Sequence, residues 1–478
     1  MGPHHTDCHE INVSNIQDGE ILSYSLPLIK GHIYTRNGID CNINKIILEH
    51  YNATGNLQST TEWPVTNGEF KLLVDLSPEK NTLILKYCTY THQLNVTYRP
   101  RATVLRVTPV YIICQGHDGC FQSPDGTDNS VVSACARIGL GARLIQTLTA
   151  EKLYEAKRGH RTFQLERDLC TSGKDCQVFH SELPAEEARK MGPRELWASF
   201  GRELMSSPLG SNDRKFLAFL SCTRYNPPQN KPPPKMHEDV LAATEAYVAL
   251  GGGGLAIFGS ACLYTWPLQV ESVLPCFLDA TKVDIRNFMD DSCYRGTFGG
   301  CFATTLGSVC HELGHTFDLG HTPDGIMGRD FDNINLVFTV ERNRVCGKKE
   351  PAQHSVVSLT KILDVFYTIE REPIKSRSLE SLQRTPSNST SSLNATCING
   401  NKIENKCLRS SERGFDKPVS MSSKIGENAV RWSKSCGVLL SFHSGVSEFI
   451  VPSEALSKPS LTLVAEDSSG NLIKHQMT

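Results

Sequence analysis

HELGHTFDLGHTPDGIM, running from His311 to Met327, decides how the middle of this chain must be built. On a helix, at about 100° per residue, His311 and His315 lie on one face a turn apart, where two imidazoles can reach a single ion. A strand could not present them so. Leu306, Val309, Cys310, Leu313 and Phe317 recur at intervals of three and four, which gives the same helix an apolar side to anchor in a core.

Neutral imidazole suits zinc, and a catalytic zinc keeps three protein ligands and an open fourth position. His321 supplies the third. It stands too far beyond His315 to join it on a continuing helix, so the chain has to turn sharply after Phe317. Asp318 or Gly320 can permit that, because glycine enters left-handed backbone freely and aspartate sometimes does. Glu312 projects to the flank of the metal, where a carboxylate can take a proton from water held by zinc and pass it to a leaving amine. Zinc brings such water to a pKa of about 7 and polarises the scissile carbonyl. Peptide-bond hydrolysis with one Zn2+ per chain is the expectation. Solvated or core histidines are the preferred reading for a lone His, not for this spacing.

HExxHxxxxxH followed shortly by a methionine resembles the metzincin zinc peptidases, in which a tight turn carrying a methionine lies beneath the metal. The resemblance gives Met327 that part. Gly252 through Trp266, then DDSCYRGTF from Asp290, then HELGHTFDLGHTPDGIMGRDFD are similar to a little-characterised family of zinc metallopeptidases found in fungi and animals. By that resemblance most of residues 104–372 form the peptidase domain. It also implies that Leu255, Ala256, Ile257 and Phe258 edge the cleft and pair with an extended substrate; an ordinary buried core strand is the competing reading. Two departures stand out. Metzincins usually carry Gly or Asn three residues after the second ligand, where this chain has Asp318. No tyrosine follows Met327 as in some metzincins, so transition-state stabilisation is unassigned.

At 478 residues the chain exceeds what one core normally supports, and 39% hydrophobic with 21% charged residues is ordinary for a globular protein. Lys plus Arg total 49 against 51 for Asp plus Glu, so no net field favours nucleic acid or an anionic membrane. A peptide or protein substrate is the expected partner, and oligomeric state is open. The stretch MGPHHTDCHEINVS lacks a secretory pattern, which makes a cytoplasmic location the expectation, with unconventional secretion left open. Gly2 with Thr6 fits the loose myristoylation pattern, but Pro3 beside the acceptor is unusual. Eighteen cysteines include no CxxC, which argues against a zinc ribbon and for buried thiols. Five sequons, at Asn12, Asn52, Asn95, Asn388 and Asn394, are about what chance supplies. The most membrane-like stretch, Tyr247 to Leu268, is broken by five glycines and ends at Trp266 and Pro267; no transmembrane segment is expected.

The expected architecture is multidomain α+β. Residues 1–102 alternate β-favouring runs (ILSYSLPLI, KIILEHY, FKLLVDL, TLILKYC, LNVTY) with turns, Asn67 to Glu69 among them, which reads as an immunoglobulin-like β-sandwich. Residues 103–372 alternate strand and helix as an α/β zinc peptidase domain: strand VLRVTPVYIIC, a helix around Asn129 to Ala156, RTFQLE, a helix around Ala185 to Met205, strand KFLAFLSC and helix EDVLAATEAYVAL. Residues 373–396, rich in Ser, Thr and Asn, read as a flexible linker. Residues 397–478 form a small C-terminal unit, with a short helix around Ala429 to Phe442 and strand-like FIVP and LTLVAE.

Other candidates weigh less. Asp118, Asp125 and Asp128 lack the spacing of a cation loop and read as a solvated turn. Asp290 and Asp291, with Tyr294 and Arg295, could orient the site or simply cap and pair at the surface. Glu341 is a distant alternative third ligand, and Cys8 or Cys41 a candidate switch thiolate set against plain burial. Two rival functions share the motif: a catalytically weak or inactive zinc-binding interaction protein, and a zinc hydrolase of a non-peptide amide.

Overall fold

The computed structural model describes residues 9–35, 43–169, 174–230, 232–234, 236–322, 325–328 and 330–340, and the backbone of four strands between residues 430 and 477. Gly2, Cys8, Cys41, Glu341, Asn388, Asn394, the FIVP run and the linker lie outside the described residues. The chain divides into two compact units, one of Met1–Asp318 with Thr322–Ile362, the other of Leu319–His321 with Leu363–Thr478.

The first unit opens with eight strands: β1 (His9–Val13), β2 (Glu20–Leu22), β3 (Leu28–Thr35), β4 (Lys45–Tyr51), β5 (Leu57–Thr66), β6 (Glu69–Leu73), β7 (Glu79–Tyr87) and β8 (Tyr90–Tyr98). They pair in the order β1-β3-β6-β5-β4-β7-β8-β2. Alternation drives the sheet: β7 buries Leu83, Leu85 and Tyr87 and turns the residues between them outward, and β8 does the same with Leu94, Val96 and Tyr98. Long β5 pairs with β4 and then, through Val65 and Thr66, with β6. The sheet curls enough to bring the His9 ring edge-on to Tyr87 at 5.0 Å. Asn67 and Gly68, with φ of 52° and 77°, make the two-residue turn between β5 and β6.

A second sheet has the order β10-β9-β11-β15-β14. Its strands are β9 (Arg106–Gln115), β10 (Gln177–Pro184), β11 (Arg214–Leu220), β14 (Ala249–Gly252) and β15 (Leu255–Gly259), with β12 (Arg224–Tyr225) and β13 (Thr244–Glu245) forming a small ribbon outside it. All but β14 run parallel. Helices cover both faces, so β9 is buried without a break from Val107 to Cys114. On one face the Pro193–Ser206 helix packs Leu196, Phe200 and Leu204 against Val110, Ile112, Phe216 and Ile257. On the other, Trp266 links Phe219 of β11, at 5.6 Å, to Phe302 of the Phe298–Thr316 helix, at 6.0 Å.

The Val131–Glu155 helix is the one among the described residues long and apolar enough to cross a membrane, and 78% of its apolar window is buried inside the fold. Its fully buried Glu151 takes a 2.9 Å ion pair from Lys30 of β3 and a 3.0 Å hydrogen bond from Asn15.

Three expectations are corrected. Leu255–Phe258 is an interior strand, hydrogen-bonded to β11 and to β14 and buried throughout, so among the described residues the edge on this side of the sheet is Ala249–Gly252. The helix read through EDVLAATEAYVAL stops at Ala242, because pairing with β12 and β15 claims the residues that follow. The stretch around Ala429 to Phe442 holds strands, not a helix. There β16 (Val430–Trp432) and β17 (Val438–Ser441) join β18 (Leu461–Glu466) and β19 (Leu472–Met477) in one four-stranded sheet. Val430 with Trp432 and Val438 with Leu440 follow the two-residue period of a strand.

Candidate metal centre

The Phe298–Thr316 helix carries the centre. Thr297 caps it, its hydroxyl accepting from the Gly300 N–H at 3.1 Å. Arg295 pins the approach: its guanidinium donates to the Ser292 and Gly300 carbonyls, to the Thr304 hydroxyl and to the Asp332 carbonyl. The helix start is thereby fixed to the segment that follows Met327.

His311, His315 and His321 come together, with their candidate ligand atoms all within 4.8 Å of one another. The His311 and His315 Nε2 atoms are 3.1 Å apart and their rings are nearly perpendicular, at 84°. His311 is buried, His315 half-buried and His321 exposed. His311 Nδ1 lies 2.6 Å from the Ile326 carbonyl; a carbonyl can only accept, so Nδ1 carries the proton and Nε2, on the side of His315, is the ring's acceptor atom.

Asp318 makes the turn. Its φ of 61° is left-handed, whereas Gly320 is not among the residues with positive φ. The Phe317 and Asp318 N–H groups donate back to the Gly314 and His315 carbonyls at 2.9 and 3.1 Å, which closes the helix. Thr322 N–H then donates to the Met327 carbonyl at 3.1 Å, and the Asp330 carboxylate accepts from Gly325 N–H at 2.9 Å. Met327 is buried at 1% exposure, one residue beyond the carbonyl that orients His311.

Glu312 turns towards the sheet. Its carboxylate accepts a 2.7 Å hydrogen bond from the backbone N–H of Gly251, on edge strand β14. The two backbones are so close that a Cβ on Gly251 would stand 1.9 Å from the Glu312 carbonyl oxygen. Gly251 was missed in the sequence because the run Gly251 to Gly254 reads equally well as a loop. Burial pushes the neighbouring Cys310 thiol up to about 12.

The remaining candidates lie elsewhere. Asp118 and Asp128 accept from the Cys120 and Ser130 N–H groups, as turn residues do, and no metal-type cluster other than the three histidines is found among the described residues. Tyr294 is 74% exposed. Asp291 lines a cavity beside the metal helix.

A family model described as "Putative peptidase family" matches residues 10–406. The chain belongs to this family. Two curated relatives, each described as a "Putative zinc metalloproteinase", are similar to it: one from Schizosaccharomyces pombe, 27% identical over 69% of this chain and 54% of the relative, and one from Saccharomyces cerevisiae, 26% identical over 69% and 49%. The chain thus spans about half the length of these peptidase-family relatives. Among solved structures, Salmonella alpha-2-macroglobulin is similar at 13% identity over 21% of this chain and 8% of that one, with a TM-score of 0.17, too low for a fold assignment.

Proposed function

We propose that the chain is a zinc-dependent metalloendopeptidase of metzincin-like build, joined to an N-terminal immunoglobulin-like sandwich. His311, His315 and His321 would hold one zinc and Glu312 serves as general base. The observation that carries this reading is the three-histidine cluster with Glu312 next to the first histidine in the chain and held at the edge strand. The donor set fits zinc: three imidazoles, one with its tautomer fixed by a backbone carbonyl, is a set that catalytic zinc sites use.

Zinc held there would lower the pKa of water to about 7 and polarise the scissile carbonyl. Glu312 accepts the proton of the attacking water and returns it to the leaving amine, while Gly251 N–H keeps the carboxylate from swinging away. Met327, buried one residue beyond the Ile326 carbonyl, would anchor that carbonyl on His311.

Metal analysis of the full chain together with a Glu312→Gln variant tests the proposal. About one zinc per chain and loss of peptide cleavage with the metal retained are expected. A variant that cleaves like wild type removes Glu312 from the mechanism. A wild-type chain that holds zinc and cleaves nothing across a diverse peptide library favours an inactive binding protein, and cleavage confined to non-peptide amides favours the other hydrolase.

A further inference from the structure

Two buried thiols that the peptidase reading does not use face one another at the carboxyl ends of β9 and β11. Leu220 pairs with Ile112, and the Ser221 N–H donates to the Ile112 carbonyl at 2.9 Å. Two residues beyond that pair, in the same apolar cluster, stand Cys222 and Cys114, with their Sγ atoms 3.4 Å apart. A disulfide needs about 2.0 Å, so small rotations of two short side chains would close the gap.

Two features distinguish this pair from thiols that merely fill a core. Cys114 forms part of the floor of a cavity of about 470 Å³ whose rim is solvent-facing, since Gln115, Gly116, Val178 and His180 are all exposed. A molecule little larger than water can therefore approach the sulfur. The other feature is charge. The hydrogen bond shared with Cys114 pulls the Cys222 thiol down; burial opposes this, and the Arg189 guanidinium, whose Nε donates to the Cys222 carbonyl at 3.1 Å, adds to the fall. The same bond holds the Cys114 thiol up. One sulfur is thus poised as thiolate and its neighbour as proton donor.

We propose that Cys114 and Cys222 form an oxidation site that hydrogen peroxide closes to a disulfide. The Cys222 thiolate takes one oxygen from the peroxide and becomes a sulfenic acid, and the released hydroxide leaves as water with the Cys114 proton. The Cys114 thiolate then attacks the Cys222 sulfur, the S–O bond breaks, and the second hydroxide leaves as water with the proton that Cys222 first gave up. The two thiols are oxidised by two electrons and the peroxide is reduced to two waters. The link ties central strand β11 to its neighbour β9 across a loop of about a hundred residues.

The test treats the reduced full chain with a few equivalents of hydrogen peroxide, then unfolds, alkylates and digests it for mass spectrometry. A peptide pair joined through Cys114 and Cys222 is expected in most molecules, and dithiothreitol should abolish it. In Cys114→Ser, which removes the resolving thiol at little cost in volume, Cys222 should stop at the sulfenic acid and be trapped by dimedone. Wild type in which both thiols alkylate as fully as before treatment overturns the proposal, whatever the variant does. So does a wild-type chain in which either cysteine links only to a third one.

Discussion

The backbone N–H of Gly251 donates to the carboxylate of Glu312 at 2.7 Å, so the edge strand of the sheet and the helix that carries His311 and His315 meet at the residue proposed as general base. The contact needs glycine. The atoms a Cβ would strike are the Glu312 carbonyl oxygen at 1.9 Å and carbon at 2.5 Å, which are backbone and cannot rotate aside.

Gly251→Ala should therefore part the strand from the helix and release the Glu312 carboxylate. A fall in kcat/KM of about a hundredfold is expected, with zinc retained, since a displaced catalytic group of this kind costs about that much. Gly252→Ala is the stability control. A Cβ there meets nothing within 4 Å, and its melting temperature should shift far less than that of Gly251→Ala. Equal melting temperatures for the two variants would remove the steric argument.

How far the sequence could be read depended on what each segment buries. The three histidines and Glu312 were legible because helix geometry fixes their relative direction, and the turn was narrowed to Asp318 or Gly320 on backbone grounds alone. Strands β7 and β8 were legible from alternation. Strand β5 was not: only Trp63 is buried along Leu57–Thr66, so no apolar period marks it. β10 was missed for the same reason, since Ser181 is its one buried residue. β14 was hidden by helix-favouring Ala, Leu and Glu before it and by its own glycines, because strand pairing depends on a partner distant in the sequence.

Asp318 bears the left-handed turn between His315 and His321, and its substitutions should sort by backbone tolerance. Glycine and asparagine enter this region readily, whereas a β-branched residue there costs on the order of 1–2 kcal/mol or more. Asp318→Gly and Asp318→Asn should hold zinc within a few-fold of wild type. Asp318→Val should weaken it about tenfold, read by competition with a chromophoric chelator. Equal affinity across the series would mean that the turn does not set the position of His321.

His160 gives stability a pH dependence in the weakly alkaline range. Burial opposes its charge, but Glu151, whose Oε1 is 3.4 Å from Nε2, and Glu20, whose Oε1 is 2.6 Å from Nδ1, more than offset this and raise it to about 9. A raised folded value means that the stabilisation is complete below the unfolded value of about 6.5 and is lost as pH climbs through about 9. The loss should be on the order of 3 kcal/mol, read from urea midpoints at pH 6 and pH 9.5. Glu20→Gln should flatten the profile; an unchanged slope would assign it to other groups.

Zinc should stabilise the fold as well as serve the chemistry, because the three histidines are spread over a helix and a turn that one ion would hold together. Anything that binds only the folded chain adds RT ln(1 + [L]/Kd), or about 2.7 kcal/mol at a hundredfold excess over Kd. Chelation should therefore lower the melting temperature of wild type by several degrees. His321→Ala removes one of three donors and should show a much smaller chelator effect, whereas Glu312→Gln, with all three donors present, should keep the full wild-type shift. A chelator effect as large in His321→Ala as in wild type would place the ion elsewhere.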